Sequence, residues 1–146
     1  MVMTLRLPVL FLGLWMSLKS VYALSYPTDI DLRAAYCAVV NKSVLNQVKQ
    51  FENISPEMKN RVTEYESMVQ RLVIYSQQRL NFVDADPMIS AMKFATQDFE
   101  ESEKVSNACV EKNGGGWVGA KKCMEMPETE LTKRLRRCNS INWLPF

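Results

Sequence analysis

The residues of this chain that could do acid–base chemistry form an acidic run with two serines beside it: Asp98, Glu100, Glu101, Ser102, Glu103 and Ser106. Two carboxyl groups about 5–10 Å apart can hydrolyse a glycosidic bond when a cleft holds the sugar between them. Glu103 lies nearest the apolar face of its predicted helix, where burial would raise the pKa of its carboxyl. Acids one turn apart are also common on solvated helix faces. A carboxylate-based hydrolase is therefore an alternative function, and we expect no enzymatic activity.

Histidine is absent from all 146 residues, which removes Ser–His–Asp and Cys–His catalysis and every histidine-ligated metal site. No glycine-rich motif for phosphate or dinucleotide binding occurs. A share of 47% hydrophobic and 23% charged residues is typical of a globular protein, and the length fits one domain. The composition thus excludes several enzyme classes, and we expect no cofactor.

The four cysteines could form either two disulfide bonds or a thiolate metal site. Their separations of 72, 14 and 15 residues include no Cys-x-x-Cys pair of the kind that holds zinc. An even number of cysteines in an exported chain of this size is typical of disulfide bonds. The sequence therefore predicts two disulfides and no metal among these residues: Cys37, Cys109, Cys123 and Cys138.

Residues 1–23 have the pattern of a secretory signal peptide. The apolar segment 8–16 is too short to span a bilayer, and residues 21–23 put small side chains where signal peptidase recognises them. We predict cleavage after Ala23, which leaves one domain, residues 24–146, with no transmembrane segment. The alternative is a retained membrane anchor or an apolar core helix. Removing Arg6 and Lys19 leaves 16 basic residues against 16 acidic ones, a balance that gives no global attraction for nucleic acid.

Helix signals predict two long helices in the first part of the exported chain. Apolar side chains recur at helical spacing over residues 29–51, with Ile30 and Phe51 at the two ends of the stripe. Ser55 is a good N-cap and Pro56 suits the first helical position, so a second helix should begin there and run to about residue 83.

A third helix and a short fourth complete the predicted fold. Asp86 and Pro87 repeat the cap-and-proline start, and glycines after residue 113 should end that helix. The fourth helix should begin at Pro127. No segment alternates polar and apolar residues for long enough to form a strand. The connections are short, so the sequence predicts an all-α, up-down-up three-helix bundle with a short fourth C-terminal helix.

Helix geometry favours one disulfide pairing. A rise of about 1.5 Å per residue places Cys37 low on the first helix and Cys109 at the top of the third, about 25 Å away. Bridged cysteines must have Cα atoms within about 7 Å, so these two cannot pair. The last helix descends towards the level of Cys37, which predicts Cys37–Cys138 and Cys109–Cys123. The alternative is Cys37–Cys123 with Cys109–Cys138.

A basic cluster near the C-terminus is one candidate binding site. It consists of Lys121, Lys122, Lys133, Arg134, Arg136 and Arg137. The last four could face the acidic run of the third helix and fix how the final helix docks. The other interpretation is a patch that binds anionic lipid headgroups or acidic polysaccharide.

Two further segments have more than one interpretation. The loop 114–119 contains four glycines and Trp117, and it could approach a ligand closely or act as a hinge whose tryptophan closes the bundle top. The apolar tail 141–146 could pack near the first helix or be presented to a partner. An alternative function is that of a carrier of a small apolar ligand, which methionine side chains could line. Core packing also explains these methionines: Met58, Met68, Met88, Met92, Met124 and Met126.

The segments 34–37 (Ala-Ala-Tyr-Cys) and 137–146, with Arg-Cys-Asn at its start and Trp-Leu-Pro-Phe at its end, resemble uncharacterised small exported helical proteins of Gram-negative bacteria. The resemblance implies a periplasmic or secreted location and carries no activity or site residues. Together these observations predict an exported, non-enzymatic helical module that binds a protein or a cell-envelope component.

Overall fold

The computed structural model describes residues 25–51 and 53–145, and this part of the chain is all-helical. The predicted signal peptide, residues 1–23, lies outside the described residues. Within them the only pairing of strand type is a single backbone bridge between Ser25 and Val83. The five helices are α1 Asp29–Val48, α2 Pro56–Leu80, α3 Ala85–Lys112, α4 Gly116–Met124 and α5 Glu130–Arg136. The predicted all-α class is confirmed.

Helix α1 packs against both α2 and α3. Along α2 the contacts run antiparallel, because Asp31 meets Arg79 whereas Lys49 meets Glu66. Along α3 they run parallel. Tyr36 bonds Asp98, and Gln47, in the last turn of α1, bonds Glu103 further along α3. Helix α5 packs on α3. The first helix therefore forms the centre of the fold.

The start of α3 differs from the prediction. Helix α1 opens with a capping box at Thr28, and α2 opens as predicted, with Ser55 as N-cap and Pro56 in the first turn. Helix α3 is capped by Asp84, whose carboxylate accepts the Asp86 N–H, instead of by Asp86. Pro87 then lies in the first turn, where a missing N–H costs no helical hydrogen bond.

The core is built on small residues of α1. Ala34, Ala35 and Ala38 are buried, which lets the flanking helices approach closely, and Leu72 of α2 and Ala95 of α3 pack into the same interior. The predicted stripe is rotated and too long: Ile30 is 39% exposed and Phe51 is 67% exposed. The reason is that Asp31 turns inward instead of Ile30, and that α1 ends before residue 51.

An additional helix replaces the predicted glycine loop. Gly114, Gly115 and Gly116 have φ values of 104°, 72° and 51°, and this left-handed backbone reverses the chain so that α4 folds back on α3. Gly119 allows the close approach, since a Cβ there would lie 2.3 Å from the Val110 carbonyl oxygen. The last helix is consequently the fifth, and it begins at Glu130 instead of Pro127.

Both predicted disulfides are present. Cys37 pairs with Cys138 and Cys109 pairs with Cys123, with Cα–Cα distances of 5.1 and 6.1 Å. The first bridge lies in the core, where it draws the C-terminal segment against α1.

The C-terminal tail packs on the fold up to the last described residues. Leu144 is buried in the core, and the Trp143 ring lies under the Arg33 guanidinium at 4.3 Å. Phe146 is outside the described residues. Of the two interpretations of this segment, packing near the first helix is the one found.

Candidate functional site

Three members of the basic cluster are held by acids. Arg134 forms two bonds of 2.9 Å to the Asp98 carboxylate, Lys133 pairs with Glu130 at 2.7 Å, and Arg136 pairs with Glu128 at 2.9 Å. Of these three contacts, only Arg134–Asp98 reaches the acidic run of α3. That contact docks α5 on α3, as one interpretation of the cluster predicted, and it removes Arg134 from the candidates for ligand binding.

Asp98 is the centre of a partly buried network. Its carboxylate also accepts the Tyr36 hydroxyl at 2.7 Å. The hydrogen bonds from Arg134 outweigh the effect of burial and hold the pKa of Asp98 below its usual value. Burial, together with the neighbouring carboxylate, raises the pKa of Tyr36. Charged at neutral pH and saturated with donors, Asp98 is a structural residue.

A second aspartate, in the first turn of α1, has the same arrangement. Asp31 is fully buried, accepts two bonds from Arg79 at 2.8 and 3.0 Å, and accepts the Tyr75 hydroxyl at 2.9 Å. The periodicity argument missed this residue. The signal that could have found it is Thr28-x-x-Asp31, a capping-box pattern that places the acid at the third helical position.

Arg137, another member of the basic cluster, lies exposed at the C-cap of α5. Its backbone carbonyl accepts a bond from Arg33 at 2.9 Å, whereas its own guanidinium pairs with no carboxylate in the described part of the chain. Burial and the positive charge of Arg137 lower the pKa of Arg33. Arg137 therefore adds positive charge where the chain leaves α5.

The remaining predicted site residues come together on α4. We call the exposed face of this helix the α4 surface: Trp117, Val118, Lys121, Lys122 and Met124. Trp117 is 75% exposed, so the expectation that it closes the bundle top is wrong. The cause is helical phase, because Gly119, Ala120 and Cys123 occupy the inner side. Lys121 and Lys122 form no ion pair with any described residue.

Although α4 is short, a disulfide bond and hydrogen bonds hold it against α3. It packs chiefly against the last turns of α3, and the Cys109–Cys123 bridge joins the two helices. The Gly115 N–H donates to the Val110 carbonyl at 2.8 Å, and the Asn113 side chain donates to the Cys109 carbonyl at 2.9 Å. The α4 surface is thus held in one orientation at the end of α3.

Two open depressions lie beside α5. The larger, of about 770 Å³, runs between α3, α4 and α5 and is lined by Val105, Cys109, Met124, Met126 and Leu131 among others. The smaller, of about 480 Å³, lies between α1, α2, α3 and α5, over Val40, Asn41, Tyr65, Phe99 and Leu135. Both open to solvent, so they are surface grooves.

Asn41 forms the polar floor of the smaller depression. It is buried, accepts the Tyr65 hydroxyl at 2.6 Å and donates to the Cys138 carbonyl at 2.9 Å. Burial raises the pKa of Tyr65 to about 12. Because these polar groups bond one another, the floor of this depression leaves little for a ligand to bind.

The acidic run lies on one helix, α3, but only Asp98 is buried, and Glu100, Glu101 and Glu103 are exposed. Glu103 is exposed and accepts a bond from the Gln47 side chain, while the Ser102 hydroxyl donates to the Phe99 carbonyl at 2.7 Å. Over residues 25–51 and 53–145, no group of three or more Cys, Asp or Glu side chains is arranged to hold a metal ion. Within the same ranges no helix has the length and apolar character needed to cross a bilayer.

No protein-family model, curated protein or solved structure matches this chain. The features that bear on function are therefore the geometry of the α4 surface and the chemistry of its side chains.

Proposed function

We propose that this protein is an exported, non-enzymatic helical module that binds a component of the cell envelope through the α4 surface. Two disulfides are compatible with an oxidising compartment, in this proposal the periplasm or the cell exterior. Neither depression encloses a substrate, and the described acids are paired, capping or dispersed along helix faces. These features favour binding over catalysis.

The observation that carries the proposal is the combination of side chains on α4. An exposed tryptophan next to an exposed valine forms an apolar patch at the start of α4. The two unpaired lysines add a positive charge that no described carboxylate neutralises. A disulfide fixes this patch in place, which reduces the entropy lost when a partner binds.

The proposal is tested by photo-crosslinking in a Gram-negative host. A photoreactive amino acid at Val118 is compared with the same group at Ile74, an exposed apolar position on α2. We expect adducts with one defined envelope component from position 118 and none from position 74. The adduct should also disappear when both lysines are changed, Lys121→Ala with Lys122→Ala. Equal labelling from both positions, or no adduct at 118, would contradict the proposal.

A further inference from the structure

We infer that the component bound by the α4 surface is the anionic headgroup region of a lipid bilayer, an inference that rests on the proposed function. Trp117 and Val118 lie in the first turn of α4, and both side chains are mostly exposed. An indole has an apolar body and a polar N–H, and it is stable at the boundary between water and acyl chains. Valine adds apolar area beside it.

The lysines provide the electrostatic part of the binding. Lys121 and Lys122 lie one turn further along the same face, so their ammonium groups can reach phosphates while Trp117 enters the interface. Helix α4 has no acid in its first turn, and Glu125 lies at its C-cap, so the helix with its cap has two lysines against one acid. The local charge is therefore positive even though the exported chain is balanced overall, and a negative membrane surface attracts such a patch.

The size of the surface favours a bilayer over a protein partner. One face of a nine-residue helix is about 13 Å long and about 10 Å wide. Its area, on the order of 130 Å², is a small part of the ~800 Å² per partner of a standard protein interface. A bilayer requires no complementary shape, because each inserted apolar group and each lysine contributes separately. Since α4 packs chiefly on the end of α3, it can meet a membrane without rearranging the core.

Vesicle co-sedimentation tests the inference with protein purified from periplasmic extracts. We expect binding to vesicles of phosphatidylcholine mixed with phosphatidylglycerol, weak binding to phosphatidylcholine alone, and weakening with salt. The double change Lys121→Ala with Lys122→Ala should reduce affinity about 25-fold, at about fivefold for each lysine. Trp117→Ala should reduce it about tenfold. Glu125→Gln should increase it.

A matched control makes the same charge change elsewhere. Lys59→Ala with Lys93→Ala removes two exposed lysines from α2 and α3, and we expect near wild-type vesicle binding. Circular dichroism should show equal helix content in all variants, because every changed side chain is exposed.

The outcomes separate this inference from the proposed function. If anionic vesicles do not bind, or if the control pair weakens binding as much as the α4 pair, the lipid inference is wrong. If position 118 then crosslinks one envelope protein, the proposed function stands and its partner is that protein. If vesicles do not bind and no adduct forms, both fail.

Discussion

Asp31 has no exposed surface, yet its carboxylate is charged and bonded to the Arg79 guanidinium, the Tyr75 hydroxyl and the Thr28 backbone N–H. Burial by itself raises the pKa of Asp31, but the bonds from these donors outweigh that effect and lower the pKa to about 2. Because an ordinary aspartate in an unfolded chain has a pKa near 4, the folded state holds this proton less tightly. The network thus couples folding to pH.

We expect Asp31→Asn to lower the free energy of unfolding by about 2.5 kcal/mol at pH 7, the size that follows from a pKa lowered from about 4 to about 2. The folded pKa lies below the unfolded one, so the contribution is complete above about pH 5 and is lost as pH falls through about 2. The difference between wild type and variant should therefore shrink below pH 4. Urea denaturation at a series of pH values measures it.

Asp29→Asn is the matched control, since Asp29 lies exposed in the same first turn. We expect it to change stability by less than about 0.5 kcal/mol. A pH-independent difference between wild type and Asp31→Asn would show that the carboxylate charge does not stabilise the fold.

At the scale of the residue, the sequence predicts the Ser55 cap and both disulfides, places the α3 cap at Asp86 instead of Asp84, and misses the buried polar residues. Hydrophobic periodicity follows apolar positions only, so Asp31 and Asn41 were invisible to it. The Asn41 partners, Tyr65 and Cys138, are 24 and 97 residues away, and no local pattern encodes such pairs. The glycines around Trp117 mark it as a candidate, but its exposure depends on the phase of α4, a helix that the glycines do not predict.

Helix α4 is the element that sequence reasoning did not predict. Four glycines in six residues suggest a loop, because glycine weakens a helix interior. The structure uses them differently: three form the left-handed turn, and Gly119 permits α4 to rest on the Val110 carbonyl. Tertiary packing and a covalent bridge thus offset poor helix propensity in a segment of nine residues.

We expect mild reduction to open the Cys109–Cys123 disulfide before the Cys37–Cys138 disulfide. Cys109 and Cys123 are half-buried, whereas Cys37 and Cys138 are each 1% exposed, so a thiol reagent reaches the α3–α4 bridge first. Native-state treatment with dithiothreitol, followed by alkylation and peptide mass spectrometry, should label positions 109 and 123 before 37 and 138. The far-ultraviolet circular dichroism from α1, α2 and α3 should be retained after the first disulfide opens.

The double variant Cys109→Ser with Cys123→Ser is the control for this experiment. It should keep most of its helix content, because neither cysteine belongs to the hydrophobic core clusters of α1 to α3. Simultaneous labelling of all four cysteines would contradict the expected order.

At the scale of the whole molecule, the fold is closed by its last residues. The Cys37–Cys138 bridge spans 101 residues, and in the chain-entropy model a loop of that length adds about 4–5 kcal/mol to stability. Leu144 then fills the core beside the bridge, and Trp143 and Ile141 pack around it. The helical class and the disulfide pairing were predictable because apolar spacing and helix rise constrain them. The number of helices was not predictable.

We expect Leu144→Ala to lower the free energy of unfolding by about 2–4 kcal/mol, because the side chain is buried and its removal leaves a cavity. Asn142→Ala, at an exposed position two residues earlier, should change it by less than about 0.5 kcal/mol. Thermal or urea unfolding of both variants measures the difference. Equal stability of the two would mean that the tail does not seal the core.

The long-range bridge also has a consequence for how the molecule is made. During synthesis Cys37 emerges 101 residues before its partner, whereas Cys109 waits only 14 residues for Cys123. The local pair can therefore oxidise first, which removes two competing thiols before Cys138 arrives. Cys37 can mispair with Cys109 or Cys123 only until those two cysteines have formed their own disulfide. The order in which the cysteines leave the ribosome therefore favours the native pairing over the alternatives.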